Sequence, residues 1–255
     1  MMKFSVCIDM IYSGLPLAER VAQVKAAGYD AVEFWRWRDK DLDALEQALQ
    51  QHGMQLAGFC VDPMGRLVDP ATHDEFVEGV KASVQQAQRF GTKALIVTVG
   101  QEREGVSRDE QREAIIAGLR RAAPVAEEGG VVLCVEPLNV LVDHKGYFLS
   151  TTDEALQIID AVNSPAVKLL YDVYHQQITE GNLIARITQH IDKIGHIHIA
   201  DVPGRHEPGT GEINYANVFK AIADAGYEGY VGLEFRPKAD ARVALENVRK
   251  LEEAS

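Results

Sequence analysis

With 255 residues, 46% of them hydrophobic and 25% charged, the chain can build one large core and has the balance of an ordinary globular protein. A net charge of -12 argues against nucleic acid as the main partner, because phosphate contacts need clustered Lys and Arg. It leaves room for a small anionic substrate, which one local arginine can hold.

No apolar run of about 18 residues is present, so no membrane partner is expected. The N-terminal Met-Met-Lys-Phe-Ser-Val lacks a basic stretch followed by an apolar run, which makes a cytoplasmic location the default expectation. The oligomeric state stays open, a homo-oligomer included. The three cysteines, Cys7, Cys60 and Cys134, fit no zinc or redox spacing and read as reduced core thiols.

Strand-like and helix-like segments alternate from end to end. Lys3 to Ile8 reads as a strand, and Leu17, Val21 and Val24 as a helical stripe stopped by Gly28. Asp30 to Phe34 is a second strand. Leu42, Leu45 and Leu49 mark a helix ending near Gly53, and Met54 to Cys60 a third strand. Thr72 and Glu75 have capping-box spacing ahead of Phe76, Val80, Val84 and Ala87. Lys93 to Val99 is strand four. Ser107 with Glu110 opens a helix that Pro124 is expected to kink or end early.

Val131 to Val135 is a short apolar strand closed by Glu136 and Pro137, since proline cannot donate to a ladder. Thr151 with Glu154 caps a helix carrying Leu156, Ile158 and Ile159. Val167 to Tyr171 is strand six, and Leu183, Ile184, Ile187 and Ile191 supply its helix. Ile194 to Ala200 is strand seven. Val218, Phe219 and Ile222 mark a helix, Tyr230 to Phe235 the eighth strand, and Leu245, Val248 and Leu251 a closing helix. Ala27-Gly28-Tyr29-Asp30 before Val32-Glu33-Phe34 is echoed by Ala225-Gly226-Tyr227-Glu228 before Leu233-Glu234-Phe235. Eight strand–helix units in this length predict an α/β fold, a closed (β/α)8 TIM barrel forming a single domain over residues 1–255.

Barrel strands converge at their carboxyl ends, where such folds keep their chemistry. Four polar residues stand at or just past the ends of strands five to eight: Glu136, Asp172, His198 and Glu234. Three carboxylates crowded into a half-buried mouth repel one another, and a cation is the simplest compensation. The donor set suits Mg2+ or Mn2+, with Zn2+ or Co2+ also compatible. His196 shares the strand face of His198, but His198 lies nearer the end; His196 reads as a packed barrel residue.

His175, three residues beyond Asp172, faces either a substrate or the start of a helix. Arg205 sits in the long loop from Asp201 to Asn214 and either clamps a substrate oxygen or lies on the surface. Glu33 fits a substrate contact or a structural ion pair equally. Trp35 and Trp37 either wall the pocket or cover the rim. No Gly-x-Ser-x-Gly elbow or phosphate-binding loop appears.

Three stretches carry a wider resemblance: Glu136-Pro-Leu-Asn, Tyr171-Asp-Val-Tyr-His-Gln, and the block that begins Gly195-His-Ile-His-Ile-Ala-Asp-Val-Pro-Gly-Arg-His-Glu-Pro-Gly. With them the sequence resembles the hydroxypyruvate isomerase family of the xylose isomerase-like barrels, over nearly its whole length. The resemblance implies a metal-dependent isomerase that interconverts hydroxypyruvate and tartronate semialdehyde through an enediolate. Glu136 and Glu234 would ligate metal and form the acid–base pair, Asp172 and His198 would complete the ligand set, and His175 and Arg205 would bind substrate. A ketose 3-epimerase or another sugar isomerase of the same superfamily is the alternative. A DNA-repair endonuclease of this fold would need more histidines and a basic groove, against the charge of -12.

Overall fold

The computed structural model describes residues 2–254. The strands are β1 (Lys3–Cys7), β2 (Ala31–Phe34), β3 (Gln55–Cys60), β4 (Ala94–Val97), β5 (Val132–Val135), β6 (Val167–Asp172), β7 (Ile194–Ile199) and β8 (Tyr230–Leu233). They pair in parallel in chain order, and β8 returns to β1 with Phe4 opposite Val231, so the barrel closes. The helices are α1 (Leu17–Ala26), α2 (Leu42–His52), α3 (His73–Phe90), α4 (Arg108–Gly129), α5 (Thr152–Val162), α6 (Val173–Thr179), α7 (Leu183–Gln189), α8 (Tyr215–Asp224) and α9 (Ala241–Glu253). Among the described residues no helix is long and apolar enough to cross a membrane.

Alternation along the strands divides the core into two layers. Leu95, Leu133, Leu169 and Ile197 belong to the large cluster that also takes in the helix stripes. Cys60, Ala94, Ile96, Cys134 and Leu170 form a small separate cluster on the inner face. The same alternation sends Glu136 inward after Cys134, Asp172 after Leu170, His198 after His196 and Glu234 after Gly232.

Several local expectations change. Pro124 does not end its helix early, for α4 continues to Gly129. Pro124 lies on the exposed face, where water can take up the carbonyl that loses its partner, while buried Ala122, Ala123 and Ala126 hold the helix to the core. The Ser107–Glu110 capping box is complete. Thr72 makes no cap: its hydroxyl donates to the Arg66 and Asp69 carbonyls, and Asp69 caps a 3-10 turn, Pro70–Thr72, that leads into α3. Thr151 accepts from the Glu154 amide, but the Glu154 carboxylate turns to Arg108 and Arg112 instead of closing a box. The helix expected across Leu183 to Ile191 is shorter, with Ile191 in a 3-10 turn, and an additional helix, α6, starts directly at the end of β6.

Candidate metal and substrate site

The inward-facing strand ends meet at the carboxyl-terminal mouth. Glu136 follows β5, its amide donating to the Val97 carbonyl at 3.0 Å and its own carbonyl accepting from the Tyr147 hydroxyl at 3.0 Å. Asp172 ends β6 and caps α6, accepting from the His175 amide at 3.1 Å through Oδ1. Its Oδ2 is left toward the mouth. His198 sits on β7, and Glu234 follows β8 with its amide on the Ile199 carbonyl. One ligand atom from each of Glu136, Asp172, His198 and Glu234 lies within 4.8 Å of all the others, and all four side chains are buried.

The electrostatics of this cluster fit a cation. Nδ1 of His198 is 3.4 Å from Glu234 Oε2 and 3.6 Å from Glu136 Oε1, yet it makes no hydrogen bond. A buried imidazole nitrogen without a partner, facing carboxylates, matches the donor set of a divalent ion. Burial disfavours charge on His198, but Glu234 and Glu33 outweigh it and raise its pKa well above the usual value. Burial raises the carboxyl of Asp172, with Arg205 opposing. Burial also opposes charge on Glu234, but Arg205 and His198 prevail and hold its carboxyl well below the usual range.

Glu234 is gripped on both oxygens. Trp35 Nε1–H donates to Oε1 at 2.6 Å, and the Arg205 guanidinium donates to Oε2. Trp35 therefore belongs to the site, whereas Trp37 donates to Ser83 at 3.1 Å and covers the rim over α3.

Arg205 reaches the mouth because its loop is wound around buried Asp201. That carboxylate accepts from the amides of Val202, Gly209, Gly211 and Ile213 at 2.8–3.1 Å. A Cβ at Gly211 would stand 2.1 Å from the Val202 carbonyl, so only glycine permits this winding. Arg205 itself has a left-handed backbone, φ 56°, between the Asp201 carbonyl it donates to and the Arg236 amide it accepts from. Its guanidinium lies 5.2 Å over the Tyr174 ring and 3.8 Å from Asp172 Oδ2.

His175 is on α6, fully buried. Burial lowers its pKa to about 3, Arg205 adding to the effect, so the ring is neutral. Its Nδ1 accepts from the Asn139 amide at 3.3 Å, which places the proton on Nε2. Nε2 has no hydrogen-bond partner and lies 3.6 Å from Asp172 Oδ2. It is thus an unused donor on the wall of a cavity of about 350 Å³ that Trp35, Met64, Leu138, Glu136, Glu234 and Arg205 also line.

Sequence reasoning did not single out Asn139 or Asp201, nor Trp35 as a donor. Asn139 lies in the quoted Glu-Pro-Leu-Asn stretch, and Asp201 opens a glycine-rich loop; those were the available signals. Glu33 pairs with histidines below the mouth and does not line the cavity.

The model of the xylose isomerase-like TIM barrel matches residues 21–253. The chain is 34% identical to a hydroxypyruvate isomerase of Escherichia coli strain K12, covering 96% of this chain and 97% of that one. It is 31% identical to a 2-oxo-tetronate isomerase of Cupriavidus necator, covering 96% of each. Among solved structures, one from Brucella melitensis described as an AP endonuclease of family 2 superposes with a TM-score of 0.93 at 30% identity, over 98% of this chain and 99% of that one.

Proposed function

The chain belongs to the xylose isomerase-like TIM barrel family, and from that premise we propose that it is a metal-dependent isomerase of a small 2-oxo acid, with hydroxypyruvate and tartronate semialdehyde as the specific pair. The observation that carries this reading is the convergence of Glu136, Asp172, His198 and Glu234. These four would hold Mg2+ or Mn2+, and the set also accepts Zn2+ or Co2+. A bound ion supplies charge stabilisation to the substrate's oxygens as the enediolate develops.

The protein's own groups do the rest. Glu234 is kept ionised by Arg205 and Trp35 and starts as the proton acceptor. It removes the proton from the hydroxyl-bearing carbon. Glu136, which carries no comparable pair of donors among the described residues, delivers a proton to the neighbouring carbon. The hydroxyl proton passes to the former carbonyl oxygen, so that one hydrogen has moved between the carbons and one between the oxygens. Such positioned transfers contribute about 10²–10⁴-fold each. His175 offers its Nε2–H to a substrate oxygen, and Arg205 reads the carboxylate or a hydroxyl. Trp35, Met64 and Leu138 keep bulk water from the intermediate.

Two full-length relatives, a hydroxypyruvate isomerase and a 2-oxo-tetronate isomerase, both favour a 2-oxo acid. The charge of -12 speaks against a DNA substrate. The test is proton NMR in deuterated water with Mn2+ or Mg2+, offering hydroxypyruvate, 2-oxo-tetronate and a panel of ketoses. Aldehyde formation from hydroxypyruvate with solvent deuterium in the product is expected. Turnover of ketoses alone, inverted at one carbon, would replace this reading with that of a 3-epimerase.

A further inference from the structure

Beneath the four strand-end residues lies a polar layer that the chemistry above does not use. Glu33 on β2 is only 1% exposed. Its Oε2 accepts from the Ser5 hydroxyl at 2.6 Å and stands 3.0 Å from His196 Nε2. Its Oε1 stands 3.1 Å from His198 Nε2. Space for it comes from Gly232 on β8, where a Cβ would lie 2.3 Å from Glu33 Oε1 and 2.7 Å from His198 Cδ2. A buried carboxylate is expensive unless it is paired, and this one has three partners from strands far apart in sequence.

His198 therefore has carboxylates at both edges of its ring: Glu33 at Nε2, Glu136 and Glu234 at Nδ1. A neutral imidazole carries one proton. On Nδ1 that proton would occupy the lone pair a cation needs. On Nε2 it leaves Nδ1 free to ligate. The Glu33 contact lies off the hydrogen-bond axis, so the carboxylate acts on the ring mainly through its charge, favouring a proton on the nearer nitrogen. A cation held by Glu136, Asp172 and Glu234 offsets their pull on Nδ1, and the placement of the proton then falls to Glu33.

We propose that Glu33 is a positioning residue that keeps the His198 proton on Nε2 and so makes Nδ1 the ligating atom. This rests on the reading of the four strand-end residues as a cation site. Carboxylate partners of ligating histidines typically alter metal affinity by about 10–100-fold.

The test titrates Mn2+ into the wild-type chain, Glu33→Gln and Gly232→Ala. The amide is nearly isosteric but has one acceptor oxygen for three partners. The added methyl crowds both the Glu33 carboxylate and the His198 ring without altering any charged group, so it disturbs their pairing, while Glu33→Gln isolates the carboxylate. Both variants are expected to bind Mn2+ about 10–100-fold more weakly. Nitrogen-15 spectra of the Mg2+-loaded wild type are expected to place the His198 proton on Nε2, with that signature diminished in Glu33→Gln. Wild-type Mn2+ affinity in Glu33→Gln would overturn the proposal alone. So would an affinity loss matched by lower thermal stability with the spectrum unmoved, since Glu33 would then be a packing residue. No Mn2+ binding by the wild type would overturn the cation site and this proposal together.

Discussion

On one side of the barrel mouth, β5 to β8 deliver Glu136, Asp172, His198 and Glu234. On the other, β2 to β4 deliver Trp35, Cys60, Ile96 and Thr98 to the same cavity. The first arc gathers charge; the second is largely apolar and excludes water. Neither suffices alone, because charges act strongly on a substrate only where the medium around them is poorly polarisable. A side-chain hydrogen bond, Trp35 to Glu234 at 2.6 Å, ties the two arcs together at the mouth.

If the charged arc carries the chemistry, its loss must cost most. Glu136→Gln and Glu234→Gln are each expected to lower kcat by about 10²–10⁴-fold at saturating Mn2+; Glu234→Gln should abolish exchange of the proton on the hydroxyl-bearing carbon with deuterated water, and Glu136→Gln should abolish deuterium delivery to the neighbouring carbon. Normal exchange in Glu234→Gln, or normal deuterium delivery in Glu136→Gln, would remove that residue from the acid–base pair. Asp172→Asn comes next. Asparagine still caps a helix, so α6 and the melting temperature should survive. Mn2+ affinity measured by calorimetry should fall by about 10–100-fold or more, since a first ligand matters at least as much as its partners.

The seam is a smaller perturbation. Trp35→Phe keeps the wall and removes the donor to Glu234; a hydrogen bond to a charged group is worth about 1.5–3 kcal/mol, or about 10–100-fold in kcat/KM. The apolar arc should show the least. Ile96→Val is expected to cost about 0.5–1.5 kcal/mol in denaturant unfolding and to leave Mn2+ affinity unchanged. A large change in metal binding there would dissolve the distinction between the arcs.

Much of this arrangement was legible in the sequence because it follows local rules. Short apolar runs between amphipathic stretches gave all eight strands to within a residue or two. Period-two alternation carries Cys134 to Glu136 and His196 to His198 on one inner face. What escaped depends on distant partners or on competing local effects. Glu33 takes its meaning from Ser5 and two histidines more than 160 residues away, at a position where only Gly232 leaves room. The seven-residue α6 begins immediately after the last residue of β6, so Asp172 ends a strand, caps a helix and faces the mouth at once. Asp201 is one acid in a polar loop until four amides fold onto it. Pro124 is tolerated because it faces water, which spacing alone does not reveal.

The central claim is that four side chains from separate strand ends share one cation. Crystals soaked in Mn2+ and measured at the manganese absorption edge test it directly. The account requires one anomalous peak enclosed by Glu136, Asp172, His198 Nδ1 and Glu234; a peak elsewhere, or no peak at saturating Mn2+, would contradict it.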